Sequence, residues 1–382
     1  MARVLLVGTY ETKPQELAYM RDALARHGQV VVPVDVSLGS GGRVLSGAEK
    51  VDAMARLARA AAALMARECD ACRVAVGLGG GTGGEIVAAA LKGLPATYPK
   101  VLVTTMAFDP RDAVADTAIT LVPTLCDIEG LNAPLRQVLE NAAAMVAALA
   151  RVEPVAPSPA STVAVSTLGA TGGAGHAVAR ALGAEGLEST VFHANGYGGA
   201  ALARFLEEGH AEAVIDIATH ELGRIRIAGA HVPMPGRFSS GEGLPRVVLP
   251  GALNFLGLGR IDTVSPAHLR RRHYRHTSQF THVKLTQAEM EGQAHALADL
   301  LNRSRAPCTV ILPMGGFSHE DRPGGAIEDP RLRALAASIL TAEARAYSVR
   351  RIRAHVNAPE TARAAVDALL PHLSHARRPT HA

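Results

Sequence analysis

An α/β fold made of two mostly parallel sheets, each flanked by helices, is predicted by three observations. Short β-branched runs alternate with helical repeats along the whole chain. Many of these runs stop at glycine or hydroxyl residues, as strands do before turning into a helix. The same order of elements then starts again after a proline-rich stretch, Val152–Ser161.

The first half begins with Val4–Val7, an apolar run that stops at Gly8-Thr9. Pro14 opens a helix with Leu17, Met20 and Leu24 on one face, and His27-Gly28 closes it, the usual Pro-first, Gly-last arrangement. Val30–Val34 is a second buried strand ending in Asp35, and Ala48–Arg67 is a long Ala-rich helix. Arg73–Gly77 is a third strand, followed by Gly79–Gly84 and a helix to Leu91. Val101–Thr104 and Ile119–Val122 read as strands, and Asn132–Ala150 as a helix.

Three prolines in Val152–Ser161 cannot continue that helix and make a semi-rigid spacer between residues 1–151 and 162–373. In the second half, strand Thr162–Thr167 runs into Leu168–Gly175 and a helix to Leu182. Strand Thr190–His193 meets Asn195–Gly199 and a helix to Glu208, and strand Ala213–Ile217 precedes His220 and Glu221. Strands at Arg246–Leu249, Thr309–Leu312 and Val349–Ile352 follow, with helices at Thr286–Asn302, Pro330–Ala346 and Pro359–Leu370. Each half is thus expected to be a Rossmann-like subdomain, with residues 374–382 a polar tail.

At 382 residues, with 48% hydrophobic and 19% charged residues, the chain can bury a large core. A net charge of +4 and a single basic patch, Arg270–His276, do not predict specific nucleic-acid binding. No apolar stretch is long enough to span a bilayer, and the N-terminus MARVLLVGTYE begins a strand where a signal peptide would have its apolar core. The chain is read as cytoplasmic. Cys69 and Cys72 have redox-motif spacing, but they end a helix and precede a strand, the reverse of a thioredoxin-type pair.

Ligands of open parallel sheets bind at the carboxyl ends of the strands. Gly79, Gly80, Gly81 and Thr82 can bring backbone N–H groups to an anion at a helix start. Gly8, Thr9 and Lys13 follow the first strand, and Thr104 and Thr105 follow the fourth. Lys13 and Lys100 are two of only five lysines, and a compact ammonium beside a strand end suits a phosphate. Asp127 is a candidate for magnesium brought with a nucleotide, or for capping a turn. In the second half His193, Asp216, Glu221 and His276 offer carboxylates beside imidazoles, the pairing general acid–base chemistry needs. The loop Asn195–Gly199 could present N–H groups to a developing negative charge. The same imidazoles and carboxylates could bind a divalent metal, but no His-x-x-x-His or Glu-x-x-His spacing within the set supports that, and no Gly-x-Ser-x-Gly elbow occurs.

Together these motifs resemble a family of largely uncharacterised bacterial and fungal proteins related to the ATP-binding N-terminal region of the tomato mosaic virus resistance protein. The matching pieces are Gly8–Lys13, Gly79–Gly84, Pro99-Lys100, Thr104–Met106, Asp127–Asn132, Phe192–Gly199, Asp216–Leu222, Arg272–His276, Gly315–Asp321 and His355–Asn357, in family order. Against the family pattern, Glu11 and Asn254 stand where Asp is usual, Asn195 and Tyr197 replace threonines, and Lys284 replaces Arg. The resemblance implies nucleotide binding, with ATP the expected cofactor, and a homodimer or tetramer. The leading expectation is an enzyme acting on a small anionic metabolite in the cleft between the subdomains. A non-catalytic nucleotide-binding regulator is the alternative. An NAD-dependent dehydrogenase comes third, on the strength of Asp35 alone.

Limited proteolysis should cut first within Val152–Ser161, since exposed proline-rich linkers make few contacts. Earlier cutting inside Thr162–Gly209 would contradict that boundary.

Overall fold

A computed structural model describes residues 2–39, 45–155 and 162–373. The chain forms two compact units that part between Ala156 and Pro157. Most of the expected linker, and the tail Ser374–Ala382, lie outside the described residues.

Unit 1 runs β1 (Arg3–Gly8), α1 (Pro14–Arg26), β2 (Val30–Asp35), α2 (Gly47–Glu68), β3 (Val74–Gly79), α3 (Gly81–Leu91), β4 (Lys100–Thr104), α4 (Arg111–Val114), β5 (Ile119–Pro123) and α5 (Ala133–Leu149). Its five strands lie in the order β2-β1-β3-β4-β5, every neighbour parallel. Successive strand residues face opposite ways, so both faces must be apolar. Val4 and Leu6 pack with Leu17, Met20 and Leu24 of α1 and Leu139 and Val146 of α5. Leu5 and Val7 pack on the other side with Met65 of α2 and Ile86, Val87 and Leu91 of α3.

Unit 2 runs β6 (Thr162–Thr167), α6 (Gly172–Ala184), β7 (Glu188–His193), α7 (Gly198–Glu207), β8 (Ala213–Ala218), α8 (Glu221–Arg226), β9 (Arg246–Gly251), β10 (Phe255–Leu258), α9 (Pro266–Leu269), β11 (His273–Arg275), β12 (Thr281–Lys284), α10 (Gln287–Leu301), β13 (Cys308–Pro313), α11 (Pro330–Ala342), β14 (Ser348–Ile352) and α12 (Pro359–Leu369). Its main sheet is again parallel, in the order β14-β13-β9-β8-β6-β7. Helices α6 and α12 cover one face and α10 and α11 the other. A small antiparallel sheet, β10-β12-β11, is an addition that the sequence reading did not foresee.

Counted along the chain, both main sheets follow the order 2-1-3-4-5, and unit 2 adds a sixth strand. That is the flavodoxin-like order, in which strand direction of travel switches between the first and third strands. The dinucleotide order 3-2-1-4-5-6 is absent from both described sheets.

Helix starts differ in how their free N–H groups are satisfied. Ser46 and Glu49 form a capping box on α2, Thr286 and Glu289 do so on α10, and Asn132 and Asp329 cap α5 and α11. Helix α3 begins at Gly80 with no side-chain cap and no acidic residue in its first turn.

Gly77, inside β3, lets α3 lie close to the sheet, since a Cβ there would sit 2.1 Å from Val87 Cγ1. Gly77→Ala should therefore cost roughly 1–3 kcal/mol by overpacking. Gly47→Ala, which meets no atom within 4 Å, should leave stability level or slightly raised. Urea denaturation of both variants checks this, and a Gly77→Ala protein as stable as the parent would contradict the close packing.

Candidate functional site

In unit 1 the switch in strand order falls between β1 and β3, and at such a point the loops leaving the carboxyl edge diverge. The glycines there have two different duties. A Cβ on Gly79 would lie 2.6 Å from the Gly83 and Gly84 backbone, and one on Gly8 would lie 2.7 Å from Leu17 Cδ2. Both therefore serve close packing, leaving no room for a side chain at either position. At Gly80 and Gly81 a Cβ would meet nothing nearer than 3.7 and 3.8 Å. The nearest groups around this open turn are Thr105 and Asp127 beside Gly80, Ala107 beside Gly81 and Thr9 beside Gly83.

The N–H groups of Gly81, Thr82 and Gly83 begin α3 without a side-chain acceptor among the described residues, and the positive end of the helix dipole adds to them. Asp127 accepts a hydrogen bond from Ile128 N at 2.7 Å, so it does shape its turn, with its Oδ1 also 3.8 Å from the Cβ position of Gly80. Thr9 Oγ1 lies 2.6 Å from Thr12 Oγ1. Lys13 forms the start of α1 and makes no side-chain hydrogen bond or ion pair among the described residues. Thr104 is fully buried and its Oγ1 accepts from Met106 N at 3.3 Å, so it braces the turn.

Met106 (φ 58°), Leu125 (φ 61°) and Ala252 (φ 56°) are the described non-glycine residues with left-handed backbone. All three follow carboxyl ends of strands, where strain tends to collect at functional loops. Lys100 corrects an expectation. It is the first residue of β4, at the amino edge, and is buried with its ammonium donating to the carbonyls of Pro95 and Ala96. It is a structural lysine. Asp35 ties two loops together, accepting through Oδ1 from Tyr10 N, Ser37 N and Ser37 Oγ. Cys72 is buried and its thiol is pushed up by that burial, which fits a structural role.

In unit 2 the expected acid–base residues separate into two groups. Asp216 and Glu221 are both buried on Arg237, which the sequence reading missed. Arg237 donates to Asp216 Oδ2 (2.8 Å) and Oδ1 (2.9 Å) and to Glu221 Oε2 (2.6 Å). Ser166 Oγ donates to Asp216 Oδ1 at 2.5 Å. Burial alone would raise the Asp216 carboxyl, but the charge and hydrogen bonds of Arg237 outweigh it and hold it below its ordinary value. Glu221 Oε1 accepts from Gly196 N (2.9 Å) and Gly199 N (3.0 Å). Asp216 and Glu221 are thus both held in a buried ion pair with Arg237, a structural arrangement that sets them apart from the exposed imidazoles. In the Asn195–Gly199 loop, Glu221 takes the N–H groups of Gly196 and Gly199 and Asn195 Oδ1 takes that of Gly198, so these three are not available to a developing negative charge.

His193 and His276 are the exposed members. His193 ends β7 and its side chain makes no hydrogen bond among the described residues. Partial desolvation first, and the charges of Arg224 and His276 set against Glu221, hold its pKa below the ordinary value. It is therefore neutral at pH 7 and able to accept a proton. His276 reaches Gly169, after β6, with its Nε2 3.4 Å from the Cβ position there. Its ring stacks on His282 at 4.5 Å, His282 on Phe255 at 4.2 Å, and Phe255 lies 4.6 Å from His220. His220 is buried, donating through Nδ1 to Ala252 O and accepting at Nε2 from Arg224 Nε. No group of three or more His, Cys, Asp or Glu side chains arranged to hold a metal occurs among the described residues. None of the described helices is long and apolar enough to cross a membrane.

With this geometry in place, comparison with known proteins finds two family matches. Residues 39–154 match the N-terminal domain of Uncharacterised protein family (UPF0261), and residues 160–373 match its C-terminal domain. A UPF0261 protein of Rhizobium meliloti is 31% identical over 395 residues, which cover 96% of this chain and 98% of the relative. The ToMV resistance protein Tm-1 of Solanum lycopersicum is 31% identical over 311 residues, 77% of this chain and 41% of that protein. Among solved structures, a putative UDP-N-acetylglucosamine 2-epimerase from Listeria monocytogenes is similar over 64% of this chain and 78% of its own at 11% identity. Its TM-score of 0.23 is too low to carry an argument.

The buried histidines give stability a pH dependence with a definite sign. His220 is held well below 6.5 and His282 is lowered to about 3, in both cases first by burial. Unfolding returns each to its ordinary value of 6.5, so the unfolded state binds more protons below that pH. Stability is then fully present above about 6.5 and is lost as the pH falls, for His282 down to about 3, by up to ~1.4 kcal/mol per pH unit for each histidine. His282→Phe keeps a ring between Phe255 and His276 and should flatten this slope by about one proton. An unchanged slope in denaturation profiles would contradict a buried neutral His282.

Proposed function

The chain belongs to the uncharacterised protein family UPF0261, and on that premise we propose that unit 1 binds ATP or a related nucleotide, with the phosphate chain on the first turn of α3. One observation carries the reading: α3 opens from the switch point of a parallel sheet on unpaired glycine N–H groups with no side-chain cap. Thr9, Thr82 and Thr105 would add hydroxyl donors, and Lys13 a cation. Asp127 would hold Mg²⁺ brought with the nucleotide, an ion that prefers one or two carboxylates plus phosphate oxygens.

In the same proposal the protein is a cytoplasmic homodimer or tetramer acting on a small anionic metabolite. His193 and His276 would carry the proton transfer. His193, neutral at pH 7, is the base, and His276 is the second imidazole close enough for its charge to act on it. A second reading is favoured by the ion pairing of Asp216 and Glu221 on Arg237, which leaves unit 2 without a free carboxylate partner for its histidines at that point. In that reading nucleotide binding regulates a partner and no reaction occurs.

ATP at a hundredfold excess over its Kd should stabilise the native protein by about 2.7 kcal/mol, raising Tm by roughly 5–10 °C. Gly81→Val should abolish the shift while leaving the fold intact, because a Cβ at Gly81 meets only Ala107 Cβ at 3.8 Å. If ATP, ADP and AMP all leave the melting curve unmoved at millimolar concentration, the nucleotide reading fails.

A further inference from the structure

A cavity of about 540 Å³ opens in unit 2 beside the starts of α10 and α11, and neither His193 nor His276 is part of its wall. The wall has two chemical characters. Arg271, Arg272, Lys284 and Arg331 supply cations and Leu285, Leu332 and Leu335 apolar surface, with Thr286, Gln287 and Asp329 also in the wall. This volume is in the range that takes a small molecule.

The charges in the wall do not cancel. Lys284 pairs with Asp329 at 2.5 Å, and Arg271 pairs with Glu289 at 2.7 Å. Arg272 and Arg331 have no carboxylate. The Arg272 guanidinium is held by three carbonyls, donating to Gly325 O, Ala326 O and Glu328 O at 2.8–3.0 Å, so its charge is fixed in place and unneutralised. Arg331 makes no side-chain hydrogen bond or ion pair among the described residues. The helix starts themselves contribute nothing further, because Thr286 and Glu289 cap α10 and Asp329 caps α11. Part of the basic run Arg270–His276, set aside as a local patch, is accounted for here by Arg271 and Arg272.

We propose that this cavity is a ligand site for a small anion with an apolar or aromatic body. Its phosphate or carboxylate head pairs with Arg272 and Arg331, and its body lies on the leucine wall. Guanidinium groups recognise both kinds of head through paired N–H bonds, so the two heads share one chemistry here. The site is separate from the glycine turn of unit 1 and does not depend on nucleotide binding there.

Isothermal titration of the full chain with phenyl phosphate and with benzoate, against inorganic phosphate as a bodiless control, tests the proposal. At least one aryl anion should bind at millimolar Kd or tighter, and the tighter of the two identifies the head. Inorganic phosphate should bind more weakly than phenyl phosphate. Arg331→Ala, an exposed position on α11, should weaken aryl binding by at least about tenfold. Leu335→Trp, which fills the cavity, should abolish it, and Gly81→Val should leave it unchanged. Absence of aryl binding at millimolar concentration overturns the proposal. Undiminished binding in both Arg331→Ala and Leu335→Trp overturns it too, as does loss of binding in Gly81→Val.

Discussion

Both main sheets are parallel and covered by helices on both faces, and that constraint governs where chemistry can occur in this protein. Residues on such strands point into apolar layers, so a charged group there must be paired or displaced to an edge. Connections between parallel strands leave by the carboxyl edge into the next helix, which gathers loops and helix starts on one side. Because both units share the order 2-1-3-4-5, each has its switch point in the same place, between its first and third strands.

The two units use that place differently. In unit 1 the strand turns into α3 on glycines, with hydroxyls around it and no carboxylate capping the helix. In unit 2, two carboxylates are buried near the equivalent edge, and burying them is costly unless each charge is compensated. Arg237 compensates both, and Glu221, held by Arg237, secures the N–H groups of the loop that follows His193. The position of His193 therefore depends on a guanidinium that never reaches the surface. Breaking such a buried pair from one side leaves a charge without a partner, which is far worse than replacing the whole set. His193 stays exposed at the end of this chain of contacts, its side chain without a hydrogen bond among the described residues, while Asp216 and Glu221 are fixed.

Much of the fold was legible because burial on both faces writes strands as short apolar runs. Val4–Val7 and Thr162–Thr167 are examples, and the glycines that end such runs marked the turns. The antiparallel β10-β12-β11 sheet was not legible. Its strands have three or four residues, and His273–Arg275 reads as a basic patch because its partners arrive through backbone pairing with Thr281–Val283. At the site, sequence order located Asp216 and Glu221 at a strand end but could not show that Arg237, in an irregular segment 16 and 21 residues further on, would neutralise them. Lys100 is different, because it precedes the run Val101–Thr104 and that position already marks the amino edge. The distinction between packing glycines (Gly8, Gly79) and open ones (Gly80, Gly81) needed coordinates, since it rests on what each absent side chain would touch.

The central claim is that phosphate binds on the unpaired N–H groups that begin α3. It is tested most directly by a crystal structure of the full chain with a non-hydrolysable ATP analogue. The account predicts phosphate oxygens about 3 Å from the N–H groups of Gly81, Thr82 and Gly83, within reach of Thr9 and Thr105. A bound analogue whose phosphates lie elsewhere, with that turn facing only water, would contradict it.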